Sequence, residues 1–496
     1  MNKKRTIVVT LALLMSNAMA GLDGTIVNTA LPSIVSELQG IQYMGWIVAV
    51  FLLGMAVATP LWSKAGERIG NKRTYQIATL LFALGALFQA LSGNIISFLI
   101  ARAIMGIGAG GMNAIPFIIY VDLYEDLKKR SKVIGYATAS FSAASIVGPL
   151  VGGWIVDSFS WHWVFYINIP IAVLSILCIQ VFFAEPKKEL AGKPVDFAGA
   201  AVLVISLVML LTGIQLVDTL PVFAVVGLVA VGILLLVFLS IIEGQAIDPI
   251  IPKRLFKNLP LVADFLLFAL LWGAFIAFNI YIPMWAQGVL GLSALVGGAT
   301  QIPGAFTNFA GSMNGSAIQS KVGKYRAVAI GTLAFIAAFA IMVVADGHTQ
   351  LWVLLVAGAF EGVGLGISFN VLQLNVQEDA ERRDVPIATS FAYLLRILSQ
   401  TFMSAVYGVI LSHSIMQGVN HSGGAVTVAM MNDLSNNSRA GELPAELLPE
   451  MKGILFQGLH NIMITALVLL LLALLFNLAV QKKVAVKHSK RIKNVD

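Results

Sequence analysis

Charge is scarce in this sequence. Of its 496 residues, 11% are charged and 58% hydrophobic, and the mean hydropathy is +0.87. An ordinary soluble domain carries about a quarter charged residues. A chain so composed cannot cover its own surface in water, so the bilayer is its expected solvent. Cysteine is nearly missing as well: Cys178 stands alone inside an apolar run. One cysteine excludes an intrachain disulfide framework and a thiolate metal cluster. No Gly-x-x-x-x-Gly-Lys-Ser/Thr loop occurs, which excludes that phosphate cradle. There is no His-Glu-x-x-His helix either. Without a nucleophile–base constellation or metal-ligand cluster, an enzyme is the reading with least support. No cofactor is expected. The expected energy source is an ion gradient, since one charge crossing 100 mV is worth about 2.3 kcal/mol.

Long apolar stretches are abundant. A crossing helix needs about 20 mostly apolar residues. Such runs fall at 6–31, 42–62, 74–92, 95–121, 133–157, 163–183, 197–217, 221–242, 260–287, 294–318, 327–345, 350–376, 385–413 and 455–480, fourteen in all. The start, with Lys3, Lys4 and Arg5 before an apolar stretch, has the look of a secretion signal. The run continues past Ala20, so it is read as the first span. The chain is basic, with net charge +7 and a pI near 9.3. All but four of its 32 Lys and Arg fall in the tails and alternate loops that lie inside if both termini are cytoplasmic. The exceptions are Arg102, Arg396, Arg439 and Lys452. The positive charge thus reads as topology, and no nucleic-acid partner is expected.

Two loops echo each other. Residues 63–73 read SKAGERIGNKR, and 317–326 read AIQSKVGKYR; each places a basic residue two before a glycine, with more after it. If these loops are equivalent, spans 1–6 and 9–14 are two six-helix halves, and spans 7 and 8 are an inserted pair. The expected architecture is an all-α membrane protein with a bundle at 1–190, a linking pair at 191–250 and a second bundle at 251–496. A polar outer loop near 414–454 has no readable chemistry.

Several segments resemble the 14-span drug:proton antiporter family of the major facilitator superfamily. They are 22–32 (LDGTIVNTALP), 144–153 (ASIVGPLVGG), 161–170 (WHWVFYINIP), 287–293 (QGVLGLS) and 301–304 (QIPG). Departures from the family pattern are Ser63, Glu67, Met105, His162 and the residues after Arg396. The resemblance implies export of lipophilic, cationic compounds across the bacterial cytoplasmic membrane by alternating access, with protons and a small-molecule substrate as partners. A monomer is the simplest assembly. The nearest alternative is the same fold exporting a lipid or a specific metabolite. A receptor without a transport cycle is a rival from another class.

An ionisable residue inside a span is costly and is a functional hypothesis by default. Asp23, Arg102, Glu361 and Arg396 are such residues, and Asp264 lies nearer a span end. At 1.5 Å per residue, Asp23 sits about 13 Å and Arg102 about 12 Å below the outer face, so the two could meet. By the same arithmetic Glu361 and Arg396 are each about 16 Å deep. The expectation is two acid–base pairs, one per half, in which proton and cation compete for a carboxylate. Asn279, Tyr281, Trp285, Gln287, Asn370 and Gln373 are candidate substrate contacts beside Asp23 and Glu361. Gating is expected from two places. One is the loop with Glu67, Arg68 and Gly70, where Glu67 would bind Arg68 or a helix N-terminus. The other is Gly148, Pro149, Gly152 and Gly153, where proline bends span 5 and glycines admit a neighbour. His460 could titrate, but a satisfied structural histidine is the plainer reading.

Overall fold

A computed structural model describes residues 3–185, 197–215, 220–243, 253–381, 384–435 and 437–492. The basic residues Lys187, Lys188, Lys193, Arg382, Arg383 and Lys493 lie outside this set, as does the side chain of Glu67. Within the described residues the apolar runs are helical, apart from short breaks. In the first part of the chain the helices are α1 (Lys3–Glu37), α2 (Met44–Ile69), α3 (Asn71–Ala90), α4 (Ile95–Leu123), α5 (Leu127–Ser158), α6 (His162–Tyr166) and α7 (Asn168–Phe182). A hairpin of α8 (Phe197–Gln215) and α9 (Val222–Glu243) follows. Then come α10 (Leu259–Met284), α11 (Ala294–Ala299), α12 (Ile302–Val322), α13 (Lys324–Val344), α14 (Leu351–Asp379) and α15 (Val385–His421). The short α16 (Val428–Leu434) and α17 (Asn437–Ala440) precede α18 (Leu448–Ile492). Among the described residues, nine helical segments are long and apolar enough to cross a membrane.

Local chemistry sets the breaks. Asn94 caps α4 by accepting from the Ser97 N–H at 2.9 Å, and Ser293 caps α11 through the Val296 N–H. Proline stands in the first turn of α10, α12 and α15, where no helix N–H is lost. Two runs read as single spans are divided: 163–183 at Ile167, and 294–318 at Thr300 and Gln301. The run 260–287 ends in a wider turn, Trp285–Val289. Several helices also overrun their apolar stretches, α1 as far as Glu37 and α14 as far as Asp379.

The two halves repeat one arrangement. The α1–α5, α2–α4 and α3–α4 packings recur as α10–α15, α12–α14 and α13–α14. The echoed loops occupy matching places. Gly70 between α2 and α3 has φ +91°, and Gly323 between α12 and α13 has φ +85°. Only glycine adopts that backbone at little cost. The α8–α9 hairpin lies across the seam between the halves, with Leu207 and Leu211 packed on Ala49 and Leu53 of α2 and Ala405 of α15. Large apolar side chains are exposed on several helices, among them Phe223, Leu234 and Val237 of α9, Phe306 and Met313 of α12 and Leu475 of α18.

The start of α1 and the end of α18 share one face of the bundle, the terminal face. There Thr10 bonds Tyr124 at the end of α4, and Asn477 donates to the Tyr325 carbonyl at the start of α13. The opposite face holds the end of α1, the start of α6 and the α15–α18 connection.

Candidate functional site

Asp23 and Arg102 are brought together. An Arg102 Nη1 lies 3.5 Å from Asp23 Oδ2, with Asp23 fully buried and Arg102 3% exposed. The arginine is fixed on three sides: its Nε donates to the Ile47 carbonyl at 3.3 Å, and its guanidinium lies 4.1 Å from the Phe51 ring centre. Asn168, at the start of α7, faces the Asp23 carboxyl. The next residue on α1, Gly24, is exposed, and no atom lies within 4 Å of where its Cβ would be. Five residues beyond Asp23, the Asn28 side chain donates to Asn279 Oδ1 of α10. One helix therefore carries both the buried pair and a bond to the other half.

Glu361 and Arg396 do not form the expected second pair. Glu361, 5% exposed on α14, lies against Gly304 of α12, and its Oε1 has no hydrogen-bond partner. Arg396 on α15 sits among rings instead, 4.5 Å from Tyr393, 5.4 Å from Phe369 and 5.8 Å from Trp272. The depth arithmetic failed because it took both residues to be near mid-membrane, measured from opposite ends. The 29-residue α14 runs past its apolar stretch. Glu361 is 18 residues from its terminal-face end, about 27 Å, whereas Arg396 is 11 residues into α15, about 17 Å. An axial gap of about 10 Å separates them.

The other candidate contacts divide. Gln287 is buried and donates to the Thr29 carbonyl at 3.1 Å, so with Asn279 it joins the halves. Tyr281 stands edge-on to Tyr407, and Trp285 edge-on to Phe456; both are fully buried, and their polar atoms lack partners. Asn370 packs against Gly315 of α12, with its Oδ1 unpartnered. Gln373 is half-buried, one turn further along α14. His460 lies 2.9 Å from the Val343 carbonyl, beside Phe456. Cys178 is half-buried against the apolar core.

The α5 glycines meet both halves. Gly148 and Gly152 face Thr25 and Ile26 of α1, while Gly153 faces Ala294 and Leu295 of α11. In return Gly298 of α11 rests on the Pro149 carbonyl. A carboxylate from the end of α5 locks this contact: Asp157 accepts from the N–H groups of Ala294 and Leu295 at 3.1 and 2.9 Å. At the loop after α2, the acid on the N-terminus of α3 is Glu185. It accepts from the Asn71 N–H, and Lys72 Nζ donates to the Gln180 and Phe183 carbonyls nearby. Arg68 is exposed on the last turn of α2.

The sequence reading missed the loop after α15. Its α16–α17 segment folds over the end of α1. Asn432 accepts from the Ile41 N–H at 2.7 Å, Ser435 donates to the Pro32 carbonyl at 3.0 Å, and Gln39 donates to Asp433 at 3.2 Å. Arg439 spans the join, 3.2 Å from the Ser36 carbonyl and 3.5 Å from Asp433. The available signal was Arg439 itself, which with Lys452 is one of two basic residues placed on that side by the sequence.

A helical fold with apolar exterior, repeated halves and a buried ion pair beside their join defines a multi-span membrane transporter rather than an enzyme. The chain belongs to the Major Facilitator Superfamily, whose profile matches residues 13–404. It is 29% identical to Multidrug resistance protein 3 of Bacillus subtilis over 94% of this chain and 93% of that protein. With the multidrug transporter protein MdtP of the same organism it shares 29% identity over 82% of this chain and 76% of that one. A rubrofusarin-specific efflux pump of Gibberella zeae is 26% identical over 89% and 83%. In fold it is similar to a bacterial homologue of the lysosomal transporter Spinster in an inward-facing, occupied conformation, with a TM-score of 0.65, 16% identity and coverage of 97% and 98%.

Proposed function

We propose that this transporter is a proton-coupled antiporter that exports lipophilic cations across the bacterial cytoplasmic membrane. In this reading all fourteen helical passes span the bilayer, and the terminal face is cytoplasmic. Residues 1–190 and 251–496 form the moving halves, and 191–250 the linking pair. The lysines and arginines gathered in the terminal-face loops support that orientation. The names of two relatives support a drug as cargo.

The Asp23–Arg102 pair carries the proposal. A buried ion pair gains little stability, because desolvation offsets the attraction, so its presence in a moving part calls for a function. When Asp23 takes a proton, its hold on Arg102 weakens; the arginine keeps its Ile47 carbonyl and Phe51 contacts. A cation arriving near Asp23 competes with that proton. Since α1 also bears Asn28, charge at Asp23 is linked to the bond with Asn279 across the halves. Glu361, without a basic partner, is a second carboxylate able to accept a proton or a cation. Arg396 tunes the field around it, and the glycines of α5 let the halves rock against α11.

The test uses everted vesicles with an imposed proton gradient and a lipophilic monovalent cation as cargo. Cation addition should release protons from vesicles bearing the wild-type chain. Asp23→Asn should abolish that release. Unaltered coupling in Asp23→Asn would remove the pair from the mechanism. A narrower reading, export of one metabolite, takes its support from the single-compound name of the Gibberella relative. Competition among unrelated cations for the same export would count against it.

A further inference from the structure

Asp264 takes no part in the cycle above, yet it is 1% exposed in the lower part of α10, five residues from that helix's start. Its Oδ1 accepts from Asn375 Nδ2 at 3.4 Å, and its buried Oδ2 has no hydrogen-bond donor. The same carboxyl faces the side chain of Asp379, at the end of α14, within hydrogen-bonding reach. We propose that Asp264 and Asp379 hold one exchangeable proton between them, a second proton site in the carboxy-terminal half. The proposal rests on the antiport reading for its purpose, but not for its existence.

Charge balance supports it. Among the described residues one base serves these two acids: Lys324 Nζ lies 2.7 and 2.6 Å from the two Asp379 oxygens, so its charge is committed there. Gln319 donates to Asn375 Oδ1 at 3.2 Å, which turns the Asn375 amide toward Asp264. Among the described residues, the remaining neighbours add no uncommitted cation. Tyr325 lies beside Lys324, Gln319 carries Glu378 at 3.5 Å, and on α15 Asp384 is bound to Arg254 at 2.7 Å. Two carboxylates that share a site cannot both ionise cheaply. A proton on Asp264 removes that conflict and supplies the donor that its Oδ2 lacks.

The repeated half sharpens the point. There the residue after the left-handed glycine is Asn71, which donates to Asp122 at the end of α4 at 3.3 Å. Its counterpart is Lys324 after Gly323, on Asp379. On α1, Thr10 bonds Tyr124 near the same level. The fold therefore meets the acid at the end of α4 with an asparagine amide in one half. The other half places a buried acid and a lysine there. Because Lys324 sits on the turn at Gly323, its distance from Asp379 sets how tightly the proton is held.

Infrared difference spectroscopy of the purified full-length protein across pH tests this without any transport. The wild type should show a protonated-carboxyl C=O band that titrates, Asp264→Asn should lack it, and Asp23→Asn should keep it. An identical band in wild type and a folded Asp264→Asn would overturn the proposal. Should that variant not fold, Lys324→Gln takes its place. Loss of the cation should move the band's midpoint to higher pH, and an unmoved midpoint would equally overturn the proposal. In vesicles, Asp264→Asn should lower the proton-to-cation ratio. If the infrared band behaves as expected but no variant alters proton release, the proton site stands and the antiport reading falls.

Discussion

In the amino-terminal half an acid and a base from neighbouring helices touch: Asp23 and Arg102 lie 3.5 Å apart, out of water. In the carboxy-terminal half the corresponding types are separated. Among the described residues Glu361 has no basic partner, and Arg396 lies among Tyr393, Phe369 and Trp272. A paired charge depends on its partner, so losing one member strands the other. A charge held by ring faces depends on polarisable neighbours and strands nothing when it leaves. The largest expected effect follows directly. Arg102→Leu should destabilise the protein by about 3–5 kcal/mol by leaving Asp23 unpaired. Arg396→Leu should cost no more than about 2 kcal/mol. Thermal unfolding of both variants in one detergent checks this, and equal losses would erase the distinction.

The next effect lies where the halves meet. A side chain at Gly153 would run into the Ala294–Leu295 backbone, and one at Gly298 into Pro149. Backbone cannot step aside as a flexible side chain can, so Gly153→Val should cost about 1–3 kcal/mol. It should also open the face opposite the termini to a membrane-impermeant thiol reagent directed at a reporter cysteine at position 28, in a Cys178→Ala background. Gly24→Ala is the matched control, because open space surrounds Gly24.

A double-mutant cycle separates pairing from proximity. Asp23→Asn with Arg102→Gln should show a coupling of about 0.5–3 kcal/mol, as touching residues do. Glu361→Gln with Arg396→Gln should be additive to within about 0.5 kcal/mol. A large coupling in the second cycle would mean that the two residues meet in another state of the transport cycle. The carboxy-terminal separation would then be a feature of this conformation alone.

Much of this contrast could be read from sequence, and the unread part has a physical cause. Runs of apolar residues set the helices, since a lipid-facing backbone must bond to itself. The meeting of Asp23 with Arg102 followed from counting residues below one shared face. Glu361 and Arg396 were counted from opposite faces, so any error in helix length entered in full. At 29 residues, α14 is longer than the roughly 20 that a crossing needs, and that excess separates the two depths. Glu185 and Asp157 escaped notice because they act on backbone N–H groups, and such bonds leave no mark in side-chain patterning. The α16–α17 segment escaped because its bonds join residues about 400 apart in sequence, such as Asn432 with Ile41.

That segment gives the smallest expected effect. Arg439 is partly exposed, and its partner Asp433 is 30% exposed, so water screens the pair and its removal should cost under about 1 kcal/mol. Unlike the buried pair, it joins the two halves through the Ser36 carbonyl, so its energy bears on the equilibrium between conformations. A loss of about 1 kcal/mol changes such an equilibrium about fivefold. Arg439→Ala should therefore leave thermal stability nearly unchanged yet raise labelling of the position-28 cysteine from the face opposite the termini by up to about fivefold. High salt should mimic the substitution in the wild type and add little in the variant, because screening acts on the same exposed charges. Labelling that responds to neither would make the segment a passive cover. The work of holding that face shut would then rest with Asp157 and the α5–α11 glycines.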